Sequence, residues 1–275
     1  AYREMGIGRM ESLHTNQNLK DMIYLISEVP LEFSPGSSWN YSVSTDVLGY
    51  LIELISDKPF DTFLKEKIFD PLNMNDSGFY VPEGKLNRFA ANYIFNEGKE
   101  SGESMSLINK DTKESGPPIL IEDPMISPYS KNPTFFSGGG GLVSTIDDYL
   151  NFCIMLLNKG SYKNRQILSG KTINLMTTNH ITDKKDLLET ASGRWSETSY
   201  AGIGFGLGFQ ILLDPVKSRI ISSKGEYGWG GAASTVFWID PKEELITIFL
   251  TQLVPSSAYN IRRELRTLVY SSINN

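Results

Sequence analysis

Cysteine and histidine are scarce in this 275-residue sequence, which contains one cysteine, Cys153, and two histidines, His14 and His180. A single cysteine excludes a disulfide framework and leaves the redox compartment open, so the sequence does not distinguish a bacterial cytoplasm from a periplasm. Two histidines without paired cysteines are too few of the usual ligands for a zinc site. We therefore expect a protein without a metal or another cofactor.

Long apolar runs and an excess of positive charge are also missing. No apolar run approaches the roughly 20 residues that cross a membrane as a helix. The net charge is −6, whereas a nucleic-acid-binding protein needs clustered lysine and arginine to neutralise phosphates. With 40% apolar and 21% charged residues, the composition is that of an ordinary globular protein. We expect neither a membrane span nor a nucleic-acid partner.

The most informative stretch of the chain lies at residues 225–250. A glycine-dense segment, 225–233, runs into β-branched and aromatic residues at 234–239, and a turn separates these from a second apolar run at 245–250. This pattern predicts a hairpin of two neighbouring strands in a buried sheet. Glycines just before a core strand let another backbone or a substrate approach closely. We therefore expect this end of the hairpin to form one wall of a catalytic cleft.

Residues 1–200 are predicted to form a mainly helical and loop lobe, and residues 201–275 the antiparallel strands and terminal helix of the same catalytic domain. Apolar spacing and capping residues predict helices at 18–29, from 44 or 45, from Pro59, from 144 or 145 to Gly160, at 169–177 and from about 257. Between about 73 and 137 the periodicity fades, which indicates long loops and small strands. This order favours an α+β fold.

Three local expectations are specific. Ser44 or Thr45 is expected to cap the helix after Tyr41, whose apolar residues from Val47 to Ile55 should face the core. Alternating glycine and large apolar residues at 202–209 predict one continuous strand with a bare face that packs closely on another layer. The terminal helix is expected to turn its apolar residues inward, namely Ile261, Leu265, Leu268 and Val269.

Three segments resemble those of one family when they are taken in order. They are Tyr41-Ser42-Val43 before a helix, the run from Gly138 to Thr145, and the run from Tyr227 to Ala232 before the hairpin. Together they are similar to the serine β-lactamase-like hydrolases, and most of all to carboxylesterases related to class C β-lactamases and penicillin-binding proteins. The resemblance covers nearly all of the chain and implies a β-lactamase/transpeptidase-like fold, with an antiparallel sheet flanked by helices.

The resemblance also implies a set of site residues. By position, Tyr41 would be the catalytic tyrosine, Trp229, Gly230 and Gly231 the substrate-binding triplet, and the N–H of Ala232 an oxyanion-hole donor. The family's nucleophile is the serine of a Ser-x-x-Lys motif, but no serine in this chain is followed three residues later by lysine. We therefore expect the fold to be incomplete at its N-terminus, and this chain alone to be inactive.

Trp229 bears on both the base and the substrate. A tyrosine with a pKa of about 10 is a poor base at neutral pH unless a nearby cation lowers that pKa. Trp229 stands where some relatives carry lysine, so the lysine of the missing motif would be the main cation near Tyr41. We expect Tyr41 to stay protonated and inert without it. An indole beside two glycines is a flat apolar wall rather than a carboxylate site, which favours neutral short-chain esters over β-lactams.

The same residues have structural interpretations. Tyr41 is one of 13 tyrosines, and both it and Trp229, taken singly, are common as packing residues. The glycines at 138–141 suggest a phosphate cradle, but without a following Gly-Lys-Ser/Thr a structural turn is favoured. Asp46 suits the positive first turn of its helix and, being close to Tyr41, is also a candidate for supporting that residue.

Two classes of function fit this sequence. The first is a serine hydrolase, most simply a carboxylesterase that cleaves short-chain esters through an acyl-enzyme, with a β-lactamase or D-amino-peptidase as the alternative within that class. The second is a non-catalytic relative that keeps the cleft for binding or regulation. The partner in either case is a small-molecule ester or amide, and an uncovered sheet face or edge would favour a homo-oligomer.

Overall fold

The computed structural model describes residues 17–96, 116–191 and 200–273. The α-helices in these ranges are α1 (Leu19–Ser27), α2 (Ser44–Ser56), α3 (Phe60–Leu64), α4 (Asp70–Leu72), α5 (Ile146–Leu157), α6 (Gly170–Met176), α7 (Leu187–Thr190), α8 (Pro215–Ser218) and α9 (Ile261–Ser271). A π-helical segment, Lys65–Phe69, joins α3 to α4. The predicted helices are all present, with their ends shifted by a few residues.

The described strands form three sheets. The strands are β1 (Asn92–Ile94), β2 (Ile119–Glu122), β3 (Ser161–Tyr162), β4 (Arg165–Gln166), β5 (Ile203–Phe205), β6 (Gln210–Leu212), β7 (Tyr227–Gly230), β8 (Val236–Asp240), β9 (Leu245–Phe249) and β10 (Leu253–Val254). Strands β5 to β9 form one antiparallel sheet in sequence order. β1 pairs with β2 antiparallel and with β10 parallel, and β3 pairs with β4. The predicted α+β fold is confirmed.

Helix α5 packs on the five-stranded sheet and forms the main core with it. The Thr145 side chain caps the helix by accepting a hydrogen bond from the Asp148 N–H at 3.3 Å, as predicted. Cys153 and Met155 are fully buried in the cluster that also contains Phe237 of β8. Burying side chains of this size stabilises a fold by about 1.5–3 kcal/mol each, so α5 holds the sheet firmly.

The predicted hairpin after the glycine-dense segment is confirmed. It consists of β8 and β9, in which Phe237 pairs with Ile248. β7 precedes the hairpin in the same sheet and pairs Trp229 with Phe237. Every residue of β8 is buried, because this strand lies inside the sheet, between β7 and β9. Trp229 is therefore held on a strand that the core fixes in place.

The expectation of one continuous strand from 202 onward is wrong, but close packing is confirmed for Gly202, Gly204 and Gly206, three of its four glycines. β5 and β6 form a hairpin in which Phe205 pairs with Gln210. The chain reverses between them, where Gly208 has a φ of +99°, a conformation that glycine adopts without strain. A Cβ on Gly204 would lie 2.6 Å from the Asn179 side chain, so this strand packs against the loop after α6.

Helix α2 differs from the prediction in its cap and in its buried face. Val43 is the N-cap and makes no side-chain hydrogen bond, so capping by Ser44 or Thr45 is wrong. Gly49 faces the core, since a Cβ there would lie 3.2 Å from the Phe60 ring. This close approach turns the larger apolar residues outward, and the exposed ones are Val47, Leu48, Leu51, Leu54 and Ile55.

Helix α9 turns a charged residue inward. Leu268, which was expected to be inward, is exposed, and the buried residue of the helix is Arg266, at 4% exposure. The Arg266 guanidinium donates to Glu226 Oε1 at 3.0 Å and lies 4.4 Å from the centre of the Trp238 ring. Apolar periodicity does not register a buried ion pair, which is why the prediction failed for Leu268.

The division of the chain at residue 200 stays a prediction. Strand β1 from the first part pairs with β10 from the second, with Tyr93 opposite Leu253 and Ile94 opposite Val254. The two parts therefore share a sheet.

Candidate active site

Tyr41 and Trp229 lie side by side, although they are far apart in the sequence. Tyr41 belongs to the loop that leads into α2, and Trp229 lies on β7. Their ring centroids are 6.3 Å apart and their planes are inclined by 3°, a parallel arrangement of the kind that aromatic pairs favour when offset. Tyr41 is 47% exposed, so the pair opens to solvent. The structure brings together the two side chains that the sequence placed in one cleft.

Further aromatic rings continue from Trp229 to the loop before Tyr41. The Phe205 ring on β5 lies 5.5 Å from Trp229 and is inclined by 81°. The same ring lies 5.3 Å from Trp39, and Trp39 meets Tyr200 at 6.0 Å. Such pairs contribute about 0.5–1.5 kcal/mol each beyond the area they bury. The row holds Trp229 in one orientation, and its members Trp39 and Phe205 carry no motif that would single them out in the sequence.

Two glycines on β7 have close neighbours where a Cβ would lie. A Cβ on Gly228 would overlap the carbonyl of Phe237 on β8, and a Cβ on Gly230 would lie 2.5 Å from the guanidinium carbon of Arg262. Gly228 therefore lets β7 pair closely with β8, and Gly230 leaves room for an arginine against the strand. The close approach expected at the glycine-dense segment is thus made by groups of the protein itself.

Gly231 and Ala232 lie in the turn between β7 and β8. The turn is closed by hydrogen bonds from the Gly231 N–H to Thr235 O (2.9 Å) and from the Ser234 N–H to Gly231 O (3.2 Å). Ala232 is exposed, and in the described part of the chain its N–H has no hydrogen-bond acceptor. Such an N–H can donate to an oxygen from outside, which is what an oxyanion hole requires.

Arg262 of α9 braces this turn. Its Nη2 donates to the carbonyl oxygen of Gly231 at 2.6 Å and to that of Thr235 at 3.0 Å. One guanidinium thus ties both ends of the turn that carries Ala232. Arg262 could not be found from the sequence, because an arginine on an amphipathic terminal helix has the same pattern as any other solvated charge.

Replacing Arg262 with methionine is expected to lower the free energy of unfolding by about 2–3 kcal/mol, since two charge-assisted hydrogen bonds to carbonyl oxygens are lost. Urea unfolding followed by circular dichroism measures the change. Arg263→Met is the matched control, because that neighbour makes one exposed hydrogen bond, to Arg219 O at 2.6 Å. Equal losses in the two variants would show that Arg262 does not hold the turn.

Asp46 joins the start of α2 to the glycine-rich segment at 137–141. The residue is 6% exposed, and its carboxylate accepts hydrogen bonds from the Ser137 hydroxyl (2.5 Å) and the Gly139 N–H (3.2 Å). The Ser137 oxygen accepts the same N–H at 3.2 Å. These polar groups serve one another inside the protein, and they lock the helix that follows Tyr41 onto the glycine-rich segment.

Comparison with known proteins assigns this chain to a family. The sequence model described as Beta-lactamase matches residues 5–271. The chain belongs to the Beta-lactamase family. This confirms the resemblance drawn from the three segments near Tyr41, Gly138 and Trp229, and with it the predicted β-lactamase/transpeptidase-like fold.

Relatives of this Beta-lactamase family chain include longer proteins. Protein Rv1367c of Mycobacterium tuberculosis (strain ATCC 25618 / H37Rv) is 33% identical over 233 residues, which are 84% of the chain and 52% of that protein. Esterase EstB of Burkholderia gladioli is 25% identical over 240 residues, 85% of the chain and 54% of the esterase. The solved structure of EstCE1, described as a hydrolase with promiscuous acyltransferase activity, matches with a TM-score of 0.75 and 23% identity, over 98% of this chain and 65% of that one. The chain spans about half the length of the curated relatives it matches.

The cysteine of this Beta-lactamase family chain is not a reactive group. Cys153 is free of a disulfide and fully buried, and burial raises the pKa of its thiol to about 12. The nucleophilic thiolate is therefore absent at neutral pH.

Within residues 17–96, 116–191 and 200–273, no His, Cys, Asp and Glu side chains cluster to hold a metal ion. None of the helices in the same ranges has the length and apolar character to cross a membrane.

Proposed function

We propose that this chain is part of a serine hydrolase that cleaves short-chain neutral esters through an acyl-enzyme. The parallel pairing of Tyr41 with Trp229, 6.3 Å apart, carries the proposal, because it puts a phenol and a flat apolar wall at one solvent-open place. Since no serine here has a lysine three residues later, the nucleophile belongs to a Ser-x-x-Lys segment outside this sequence. An esterase and a structure described as a hydrolase among the relatives support this reaction class.

Each site residue has one task in the proposed reaction. Tyr41, with its pKa lowered by the lysine of the Ser-x-x-Lys segment, accepts the proton of the serine hydroxyl as the serine oxygen attacks the ester carbon. The Ala232 N–H donates to the oxyanion that forms. Tyr41 then returns the proton to the alcohol as the C–O bond breaks, and water hydrolyses the acyl-enzyme to the acid and free serine.

The wall beside Tyr41 is the reason for proposing an ester rather than a β-lactam. A β-lactam carries a carboxylate, which is best met by a cation or several hydrogen-bond donors. Trp229, Gly230 and Gly231 offer an indole face and backbone, and Arg262 already donates to the Gly231 and Thr235 carbonyls. An unmet carboxylate is costly to desolvate, whereas a neutral acyl group fits an apolar wall.

Hydrolysis assays test the proposal. The polypeptide that joins this chain to the residues encoded directly upstream of Ala1 is compared with the 275-residue chain alone. We expect the longer polypeptide to carry a Ser-x-x-Lys motif and to hydrolyse p-nitrophenyl butyrate with a kcat/KM at least tenfold above that for a cephalosporin. The 275-residue chain alone should hydrolyse neither compound above the rate in buffer.

The other outcomes are also decisive. A longer polypeptide without Ser-x-x-Lys, or one that is inactive on both compounds, would favour the non-catalytic binding protein. Faster cleavage of the cephalosporin would contradict the ester preference and favour a β-lactamase. Hydrolysis by the 275-residue chain itself would contradict the assignment of the nucleophile to another segment.

A further inference from the structure

A cavity of about 290 Å³ lies between the loop at 36–39, the loop at 180–185 and β5. Trp39, Ile181 and Phe205 form its apolar lining, whereas Tyr41 and Trp229 are not part of it. An apolar cavity of about 150 Å³ is enough to hold benzene. The cavity therefore has room for a group of one or two fused rings, and it is distinct from the space beside Tyr41.

One side chain connects this cavity to the candidate active site. Phe205 lines the cavity together with Trp39, at a ring distance of 5.3 Å, and also lies 5.5 Å from Trp229. The cavity and the Trp229 wall are therefore separated by the width of one aromatic ring. A ligand whose reacting bond lies beside Trp229 has the cavity within reach of its larger end.

The charges around the cavity are balanced. Lys185 and Asp183 line it and form an ion pair with Nζ and Oδ2 3.8 Å apart. The Thr182 hydroxyl, which also lines the cavity, donates to Gly36 O at 3.3 Å. Other polar side chains of the lining also have partners: the Ser37 and Thr190 hydroxyls donate to backbone carbonyl oxygens at 2.7 and 3.0 Å, and His180 Nε2 lies 2.8 Å from Leu175 O. With its cation and most of its hydroxyl groups already partnered, the lining favours a neutral ring over an anion, since a buried charge needs a partner of its own.

The walls of the cavity are tied to one another. Asn179 Oδ1 accepts hydrogen bonds from the N–H groups of Phe205 (3.1 Å) and Ile181 (3.2 Å), and its Nδ2 donates to Lys185 O (2.9 Å). The Trp39 N–H donates to Thr190 O at 3.0 Å. Because these walls are already fixed, the lining residues lose little conformational entropy when a ligand enters. Most small-molecule binding sites are pre-formed in this way.

We propose that this cavity binds the aryl group in the alcohol portion of a neutral ester. The inference rests on the proposed esterase function, in which a short acyl group lies beside Trp229 and the larger alcohol portion extends past Phe205. The substrate class is thus a short-chain acyl ester of an uncharged aromatic alcohol with one or two rings.

Binding of 2-naphthol to the 275-residue chain tests this inference without any need for catalysis. We expect saturable binding by isothermal titration, at least tenfold tighter than that of 2-naphthoate, which has the same rings with a negative charge. Thr182→Phe, which fills the cavity, should weaken 2-naphthol binding at least tenfold. Thr178→Phe is the matched control, because this exposed threonine lies four residues earlier and does not line the cavity. The affinity of the Thr178→Phe variant for 2-naphthol should be unchanged.

A crystal of the unsubstituted chain soaked with 6-bromo-2-naphthol locates the bound ring. This measurement does not depend on whether the Thr182→Phe variant folds. The anomalous signal of bromine should lie between Trp39 and Phe205. A signal elsewhere, equal binding by the two threonine variants, or tighter binding of 2-naphthoate would overturn the inference. These outcomes leave the ester hydrolysis test untouched, and a failure of hydrolysis leaves this binding result untouched.

Discussion

Tyr41→Phe is expected to lower kcat/KM for p-nitrophenyl butyrate by about 10²–10⁴-fold in the longer polypeptide that carries Ser-x-x-Lys, which is the usual contribution of a general acid–base group. The variant removes one oxygen atom and keeps the ring that pairs with Trp229 at 6.3 Å. The loss should therefore fall on kcat, while KM changes little. Steady-state kinetics with the purified polypeptide separate the two parameters.

The control for this experiment is Tyr24→Phe. Tyr24 is exposed on α1, outside the candidate site, and its variant should keep full activity. A Tyr41→Phe enzyme within twofold of the unsubstituted protein would show that Tyr41 is not the base. A rise in KM at constant kcat would instead make Tyr41 a substrate-binding residue.

Arg266→Met is expected to lower the free energy of unfolding by about 3–5 kcal/mol, because removal of one partner leaves a buried charge uncompensated. Arg266 and Glu226 are 4% and 3% exposed. The Nη2 atom of the guanidinium lies 3.0 Å from the Oε1 atom of the carboxylate. The Tyr270 hydroxyl lies 3.0 Å from the other Glu226 oxygen, but it cannot replace a full charge. A loss of this size is a large share of the roughly 5–15 kcal/mol that stabilises a typical domain.

A double variant distinguishes a lost charge partner from lost packing. If the buried carboxylate is the cause, Arg266→Met combined with Glu226→Gln should be more stable than Arg266→Met alone in urea unfolding. Lys65→Met is the surface control, since Lys65 and Asp70 form an exposed pair, and such pairs add little to stability. Additive losses in the double variant would contradict the charge explanation and leave packing against Trp238 as the cause.

Local patterns were enough to predict most of the secondary structure. The cap at Thr145, the hairpin of β8 and β9, and helices α1, α2, α3, α5 and α6 follow from capping groups or apolar spacing within about ten residues. The order of three short motifs was enough to bring Tyr41 and Trp229 together, because a family's motifs carry its tertiary contacts with them. The roles assigned to these residues and to Ala232 stay predictions.

The errors arose where a tertiary contact or a turn outweighed the pattern of apolar residues. The apolar residues of helix α2 predict that its larger side chains face the core. In the structure, Gly49 packs on Phe60 and the larger side chains face outward. The alternating segment after residue 202 reads as one strand, yet the chain reverses at Gly208. The Phe60 ring lies outside the helix in which the periodicity is measured, whereas the reversal at Gly208 is a local turn that strict alternation does not reveal.

By itself, the sequence determined the fold class, the family and the pairing of a tyrosine with a tryptophan at one site, since these depend on local patterns and on motif order. Only the tertiary structure decided what surrounds that pair: the arginine that braces the Ala232 turn, the ion pair under α9, and the cavity behind Phe205. The physical reason is that buried charges and cavities are properties of surfaces that meet in three dimensions. Arg262 and Arg266 have the same sequence signal as solvated arginines, and only their neighbours make them different.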